Sequence, residues 1–339
     1  MTRYLILAEG FSADAHYGKT MRGVLRYRRD DVVAILDSAR AAGDTEDGVP
    51  VVATVDEALR FGPDTALVGV ATQGGRFPPA WLDLLRGCIA NGLHIENGLH
   101  VFLSDDPELR ALAKRHGVEL RDLRRPPADL STATGANLDV PATIVLSVGS
   151  DCAIGKMTVA LELDLEARRQ GLASVFVPTG QTGIAIAGWG IAVDAVVADF
   201  ISGAAERLVV EGARRGGEFL WVEGQGALLH PVYSGVTLGL FHGSVPHRVL
   251  LCHEAGRTEI EGVGGGPHRI PSLRELVELH ERLALPVRPA RVAAVALNTR
   301  LLSEEDARAA IGAAEAETGL PADDPVRFGA GKLLAAFTG

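Results

Sequence analysis

The stretch best equipped for chemistry is Gly149-Ser150-Asp151-Cys152-Ala153-Ile154-Gly155-Lys156-Met157-Thr158. It follows an apolar run, residues 144–148, and leads into mixed apolar and charged residues through Ala167 that suit a helix. Strand, glycine-framed loop and helix in that order make a phosphate-binding loop. Backbone N–H groups point inward, the helix N-terminus adds partial positive charge, and the lysine closes over the anion's oxygens. The residue after the lysine normally offers a hydroxyl to Mg²⁺. Here it is Met157, and the hydroxyl comes one place later at Thr158. A thioether is a poor ligand for hard Mg²⁺. The cradle is therefore expected, the metal site of an ATP-hydrolysing enzyme is in question, and no metal ligand is assigned.

Other residues fall where a partner for this loop would stand. The apolar run 219–222 ends in Glu223-Gly224-Gln225-Gly226, and an acid at such a strand end faces the phosphate loop to bind Mg²⁺ or orient a water. His230, just beyond, is a candidate general base. The strand 174–177 runs into Pro178-Thr179-Gly180-Gln181-Thr182-Gly183, a ligand-contacting loop or a structural turn. Residues 192–200 read as a strand with Asp194 and Asp199 near one face of the sheet, one of them able to hold an amine or act as a base. Asn298 closes the last clear strand, where this fold class reads a purine ring. His242, His247, His253 and His268 fall in one region without paired metal-ligand spacing.

The elements that must position these residues are α/β throughout. Apolar runs at 4–7, 32–37, 51–53 and 65–70, with helical segments at 55–60 and 80–91, resemble parallel strands covered on both faces. Residues 1–130 are expected to form a Rossmann-like domain, and 131–339 a P-loop NTPase-like, doubly wound α/β domain. Gly10 and Gly18-Lys19-Thr20 do not make a second phosphate loop, because the gap is too long and no clean helix start follows. Asp37 reads as a strand-end turn residue, and the glycine-rich end of the strand at 69–75 as a candidate crevice lining. Arg124-Arg125-Pro126-Pro127 reads as a solvated linker between the domains.

The 339 residues suffice for two ordinary cores, and the net charge of −10 argues against a general nucleic-acid or anionic-membrane binder. No run has the length of a membrane span or the form of a signal peptide. Cys88, Cys152 and Cys252 are scattered, which suits a cytoplasmic protein without a disulfide framework. A small-molecule substrate is expected, and the glycine-rich loops permit a homo-oligomer.

Loop spacing one residue longer than G-x-x-x-x-G-K, the Gly149-Ser150-Asp151 opening and Val222-Glu223-Gly224 resemble dethiobiotin synthetase and its relatives. With Pro178 to Gly183, and the segments His242 to Glu254 and His268 to His280, the whole chain resembles the D-glutamate N-acetyltransferase-like family. That family was long catalogued as a domain of unknown function, with a Rossmann-like N-terminal half and a dethiobiotin synthetase-like C-terminal half. The resemblance implies transfer of an acetyl group from acetyl-CoA to an amino-acid nitrogen, with D-glutamate as acceptor. Residues 149–158 and Asn298 would then hold the cofactor, Gln181, Thr182 and Gly183 would lie near the acceptor, and Glu223, Asp199 or His230 would be the base. Cys152 is expected as a small buried loop residue, an acyl-carrying thiol being the other reading. Two alternatives stand beside this one. They are an ATP- and Mg²⁺-dependent carboxylate-activating ligase, which Glu223 favours and Met157 opposes, and a non-catalytic nucleotide- or CoA-binding regulator.

Overall fold

The computed structural model describes residues 2–14, 17–41, 43–71, 81–264 and 266–338. Residues 72–75 of the expected crevice loop lie outside the described residues. The chain divides into two units, Met1–Pro126 with Gln181–Ala195, and Pro127–Gly180 with Val196–Gly339.

In the first unit the chain lays down β1 (Tyr4–Leu7), α1 (Lys19–Tyr27), β2 (Val32–Leu36), β3 (Thr45–Glu46), β4 (Val49–Val52), α2 (Val55–Leu59), β5 (Thr65–Val68), α3 (Trp81–Ala90), β6 (His94–Asn97), α4 (Pro107–His116) and β7 (Leu120–Asp122). The strands pair in the order β3-β4-β2-β1-β5-β6-β7, parallel except for β3 against β4. From β1 the chain winds outward through β2 and β4, then returns to build β5, β6 and β7 on the other side. That reversal is what defines a Rossmann-like sheet. The four residues of β1 are all buried, as a central strand covered on both faces requires.

Two expectations fail in this unit. A helix does start at Lys19, but with no side-chain cap; the Met21 N–H instead donates to the Gly69 carbonyl at 2.8 Å, a long-range contact that leaves no capping signal in the sequence. Arg124 is not a solvated linker residue. It is buried, and its guanidinium donates to Gly98 O at 2.7 Å, to Gln181 Oε1 at 2.7 Å and to Asp194. Asp37 does close β2 as a turn acid. Burial pushes its carboxyl up, but N–H donors on Gly10, Ser12 and Ala39 outweigh that and hold it below its usual value.

The second unit holds β8 (Thr143–Gly149), α5 (Lys156–Arg169) and β9 (Ser174–Val177). After β9, α6 (Gln181–Ala187) packs in the first unit. The second unit resumes with α7 (Ile201–Arg214), β10 (Phe219–Val222), α8 (Ser234–Ser244), β11 (Arg248–Glu254), α9 (Leu273–Leu283), β12 (Arg291–Asn298), α10 (Glu304–Thr318), β13 (Ala322–Asp323) and α11 (Gly331–Thr338). Its strands are all parallel in the order β13-β12-β11-β8-β10-β9. Right-handed crossovers place α5 on one face and α7 to α10 on the other. Only the connection after β8 runs to the first face, so a crevice opens at the C-terminal end of β8. No helix among the described residues is long and apolar enough to cross a membrane.

Residues 192–200 are not a strand. They form two short 3₁₀ turns, Val193–Ala195 and Ala198–Phe200, so Asp194 and Asp199 share no sheet face. Asp194 pairs with Arg124, and Asp199 is exposed in the turn before α7.

Candidate active site

β8 delivers the loop at the crevice. Its register is locked on both sides, because Leu251 and Cys252 of β11 pair with Val148 and Gly149, while Val222 of β10 pairs with Leu146. The following helix is pinned by a buried chain. Trp221 Nε1 donates to Ser174 Oγ at 2.8 Å, and Ser174 Oγ donates to Asp164 Oδ1 at 2.6 Å. Burial raises the Asp164 carboxyl above its ordinary value. The start of α5 is therefore fixed relative to both β9 and β10.

Between β8 and α5 the backbone turns inward. Ala153 has φ 55° and Gly155 φ 110°, the left-handed conformations from which successive N–H groups converge on one point. The N–H groups of Ala153, Ile154 and Gly155 have no acceptor among the described residues. With the unpaired donors of the first turn of α5, they form an anion cradle. Lys156 is buried below it, and its ammonium donates to the Asp151 carbonyl at 2.7 Å. Burial pulls the Lys156 ammonium below its ordinary value, opposed by Cys152, Cys252, Asp151 and Glu223 around it. Burial likewise pushes the Cys252 thiol up to about 12.

Glu223 stands at the end of β10. Its Oε2 accepts the Thr179 N–H at 2.9 Å and the Gly180 N–H at 3.1 Å, and it is 6% exposed. Ser147 of β8 sets its height: Ser147 Oγ donates to Val222 O at 3.2 Å and accepts the Gly224 N–H at 2.9 Å. The strands approach so closely there that a Cβ on Gly224 would lie 1.7 Å from the Ser147 carbonyl oxygen and 3.3 Å from Lys156 Cδ. Glycine at 224 is thus what lets the acid and the lysine share one crevice.

Asn298 ends β12, where its Nδ2 donates to Ile154 O at 3.3 Å and its Oδ1 accepts the Arg300 N–H. Its amide supports the loop itself. His230, between β10 and α8, is buried. Its Nδ1 accepts the Val232 N–H at 3.2 Å, so the neutral ring carries its proton on Nε2, which faces Glu261 O at 3.3 Å. Met157 and Thr158 lie in the first turn of α5, both half-buried. Gln181 and Thr182 open α6 rather than a loop. Gln181 receives Arg124, Thr182 Oγ1 bonds Thr20 Oγ1 at 2.9 Å, and Gly183 is buried in the same helix.

Several site residues carry no sequence signal. Arg257 donates to Asp151 Oδ2 at 3.0 Å and Glu254 Oε2 at 3.2 Å, and also pairs with Glu261, which ties the segment after β11 onto the loop. Ser150 Oγ bonds His253 Nδ1 at 2.8 Å, and burial, with Arg257 beside it, holds that imidazole below its usual value. The described residues hold one group of ligand-type side chains, and the four histidines of residues 242–268 are not in it. Asp151, Cys152 and His230 each offer an atom within 4.8 Å of the others.

The fold and the cradle together define a P-loop α/β protein with a Rossmann-like N-terminal domain. Family models described as a domain of unknown function, DUF1611, match residues 131–334 as its P-loop domain and 37–126 as its Rossmann-like domain. The chain belongs to the DUF1611 family, and it is an enzyme. A protein named D-glutamate N-acetyltransferase from Tritonibacter scottomollicae is 39% identical over 285 residues, 84% of each chain. A second of that name from Pseudoalteromonas sp. is 36% identical over 285 residues, 83% of each. A crystal structure of a DUF1611 family protein from Anabaena variabilis superposes with a TM-score of 0.91 at 38% identity, covering 99% of each chain.

Proposed function

We propose that the chain is an N-acetyltransferase that moves the acetyl group of acetyl-CoA to the amino group of an amino acid, a D-amino acid such as D-glutamate. The observation that carries this reading is the 39% and 36% identity, across more than four fifths of the chain, to two proteins named D-glutamate N-acetyltransferase. The site residues fit acyl transfer from CoA: three loop N–H groups without an acceptor among the described residues and a buried lysine stand where a negative charge would sit, a phosphate of the donor or the oxyanion of the transfer itself. Residues 149–158 and Lys156 are the proposed donor contacts, with Asn298 holding the loop from behind.

Glu223 is the proposed base. It is buried beside Lys156, and its Oε2 accepts the Thr179 and Gly180 N–H groups. It would take a proton from the acceptor's ammonium, so that the neutral nitrogen attacks the thioester carbonyl and the thiol of CoA leaves. Exposed Asp199 ranks below it. Gln181, Thr182 and Gly183 remain the proposed acceptor-side residues. A homo-oligomeric, cytoplasmic protein belongs to the same proposal, and sedimentation equilibrium checks the assembly.

A thiol-release assay with acetyl-CoA and a panel of D- and L-amino acids, with the product identified by mass, tests the reading. Release stimulated by D-glutamate above its enantiomer is the expected result. The second reading, an ATP-dependent ligase, is favoured by the place of Glu223 opposite the loop. Amino-acid-stimulated ATP consumption, with no release from acetyl-CoA, would establish it and overturn the first.

A further inference from the structure

The sequence expectation for Cys152 was a small buried residue. In the structure it is half-buried, and it stands among groups that suit a nucleophile better than a filler. Its thiol, the Asp151 carboxylate and a His230 ring nitrogen lie within 4.8 Å of one another. Such a cluster invites a metal, but Asp151 is already engaged on both oxygens. Oδ1 accepts the Cys152 N–H at 2.6 Å, and Oδ2 accepts Arg257 and the Glu261 N–H at 3.0 Å each. A cation there would face the Arg257 guanidinium.

The same bonds orient a base. Asp151 fixes the Glu261 backbone, the Glu261 carbonyl accepts His230 Nε2–H, and His230 Nδ1 accepts the Val232 N–H at 3.2 Å, so a proton taken up on Nδ1 replaces that bond. Lys156 and the N-terminus of α5 follow the sulfur-bearing residue within the same loop. The unpaired N–H groups of Ala153, Ile154 and Gly155 come directly after the sulfur-bearing residue, where an oxyanion would need donors.

We propose that Cys152 is the acyl carrier of the proposed transfer, with His230 as its proton acceptor. This rests on the acetyltransferase reading and adds a covalent step to it. Cys152 gives its proton to His230, and its sulfur bonds to the acetyl carbonyl. The bond to the CoA sulfur then breaks, and the departing thiolate takes the proton from His230. In the second half the acceptor ammonium gives one proton to Glu223, its nitrogen forms the N–C bond and expels the Cys152 thiolate, and the nitrogen's second proton passes by way of His230 to that thiolate, restoring the thiol. One thioester is exchanged for another and then for an amide, with no change of oxidation state.

The step also decides what enters the cradle. The pyrophosphate and sulfur of CoA are joined by a chain on the order of 15 Å long when extended. A thioester at Cys152 therefore puts the phosphates outside the loop.

The test is to mix the enzyme with acetyl-CoA alone, quench in acid, and search the peptide containing Cys152 for a hydroxylamine-labile acetyl group. Exchange of labelled CoA into acetyl-CoA without acceptor is measured in parallel. The expected result is the adduct, the exchange, and loss of both with overall activity on the order of a thousandfold in Cys152→Ala. Amino-acid acetylation by the wild type with no adduct and no exchange, or a Cys152→Ala enzyme within about tenfold of it, overturns the carrier and leaves the acetyltransferase standing. Failure of that wider reading is distinct: no acceptor is acetylated. The adduct is read on the wild type, so it does not depend on whether the variant folds.

Discussion

Glu223 separates a structural role from a chemical one, because the first needs only an oxygen that accepts hydrogen bonds and the second needs a carboxylate that takes a proton. Both backbone N–H groups that it holds, on Thr179 and Gly180, donate to Oε2. In Glu223→Gln the amide oxygen can take that position and keep both bonds, losing only their charge assistance, a cost of about 1–2 kcal/mol. Glu223→Ala leaves two buried donors unpaired at about 1–3 kcal/mol each, so about 2–6 kcal/mol in all. Activity divides differently. If the carboxylate takes the acceptor's proton, both variants lose it, and kcat falls by about 10²–10⁴-fold in each. Urea unfolding and acetyl-transfer kinetics on the three proteins give the comparison. A Glu223→Gln enzyme with kcat within about threefold of wild type would refute the base assignment, while equal stability of the Ala and Gln variants would refute the bonding argument.

The remaining predictions concern the frame. Gly224→Ala drives a methyl into the Ser147 carbonyl and should cost about 1–3 kcal/mol or more, with acetyl transfer lost in the fraction that folds; unchanged melting and activity would contradict the close approach. Arg257→Met removes the guanidinium paired with the buried Asp151 carboxylate and should cost about 3 kcal/mol by denaturant midpoint, more than loss of an exposed pair such as Arg308 with Glu304 would. His280 is buried, with Nδ1 donating to Leu276 O at 2.7 Å and Nε2 lacking any partner among the described residues, and burial holds the imidazole below its usual value. The unfolded chain therefore takes up a proton near pH 6.5 that the native state refuses, so this contribution is intact above that pH and is lost as pH falls towards the native value, at about 1.4 kcal/mol per unit. His280→Leu should flatten the acid limb of the stability curve by that slope relative to wild type, and an unchanged slope would contradict it.

The parts of the fold legible in the sequence are those whose stabilisation is apolar and local. β1, β2, β5, β8 and β12 consist mostly of buried Val, Ile, Leu and Ala, and each reads as a parallel strand without help from the rest of the chain. β6 and β7 were not legible, because Glu96, Asn97 and Asp122 sit inside them. Those residues are buried because each finds the next strand: Asn97 Nδ2 donates to Asp122 Oδ1 at 2.8 Å, and Arg121 Nη1 donates to Glu96 Oε1 at 2.8 Å. Residues 192–200 err the other way. Their alternating Ala and Val look like a strand, yet Val197 is 65% exposed and the apolar residues pack around two 3₁₀ turns. The site divides along the same line. Strand, loop and helix around Lys156 follow from spacing, and so does the acid after β10. Arg257 does not: it reaches Asp151 across 106 positions of sequence, from a turn whose composition says nothing about where it folds. That contact gives Cys152 its setting, because the bond network that fixes Asp151 also fixes the Glu261 carbonyl on which His230 rests. A phosphate-loop spacing predicts a place for negative charge. If Cys152 carries the acyl group as proposed, it is His230, brought to the loop from a distant segment, that makes this charge a thioester oxygen rather than a phosphate.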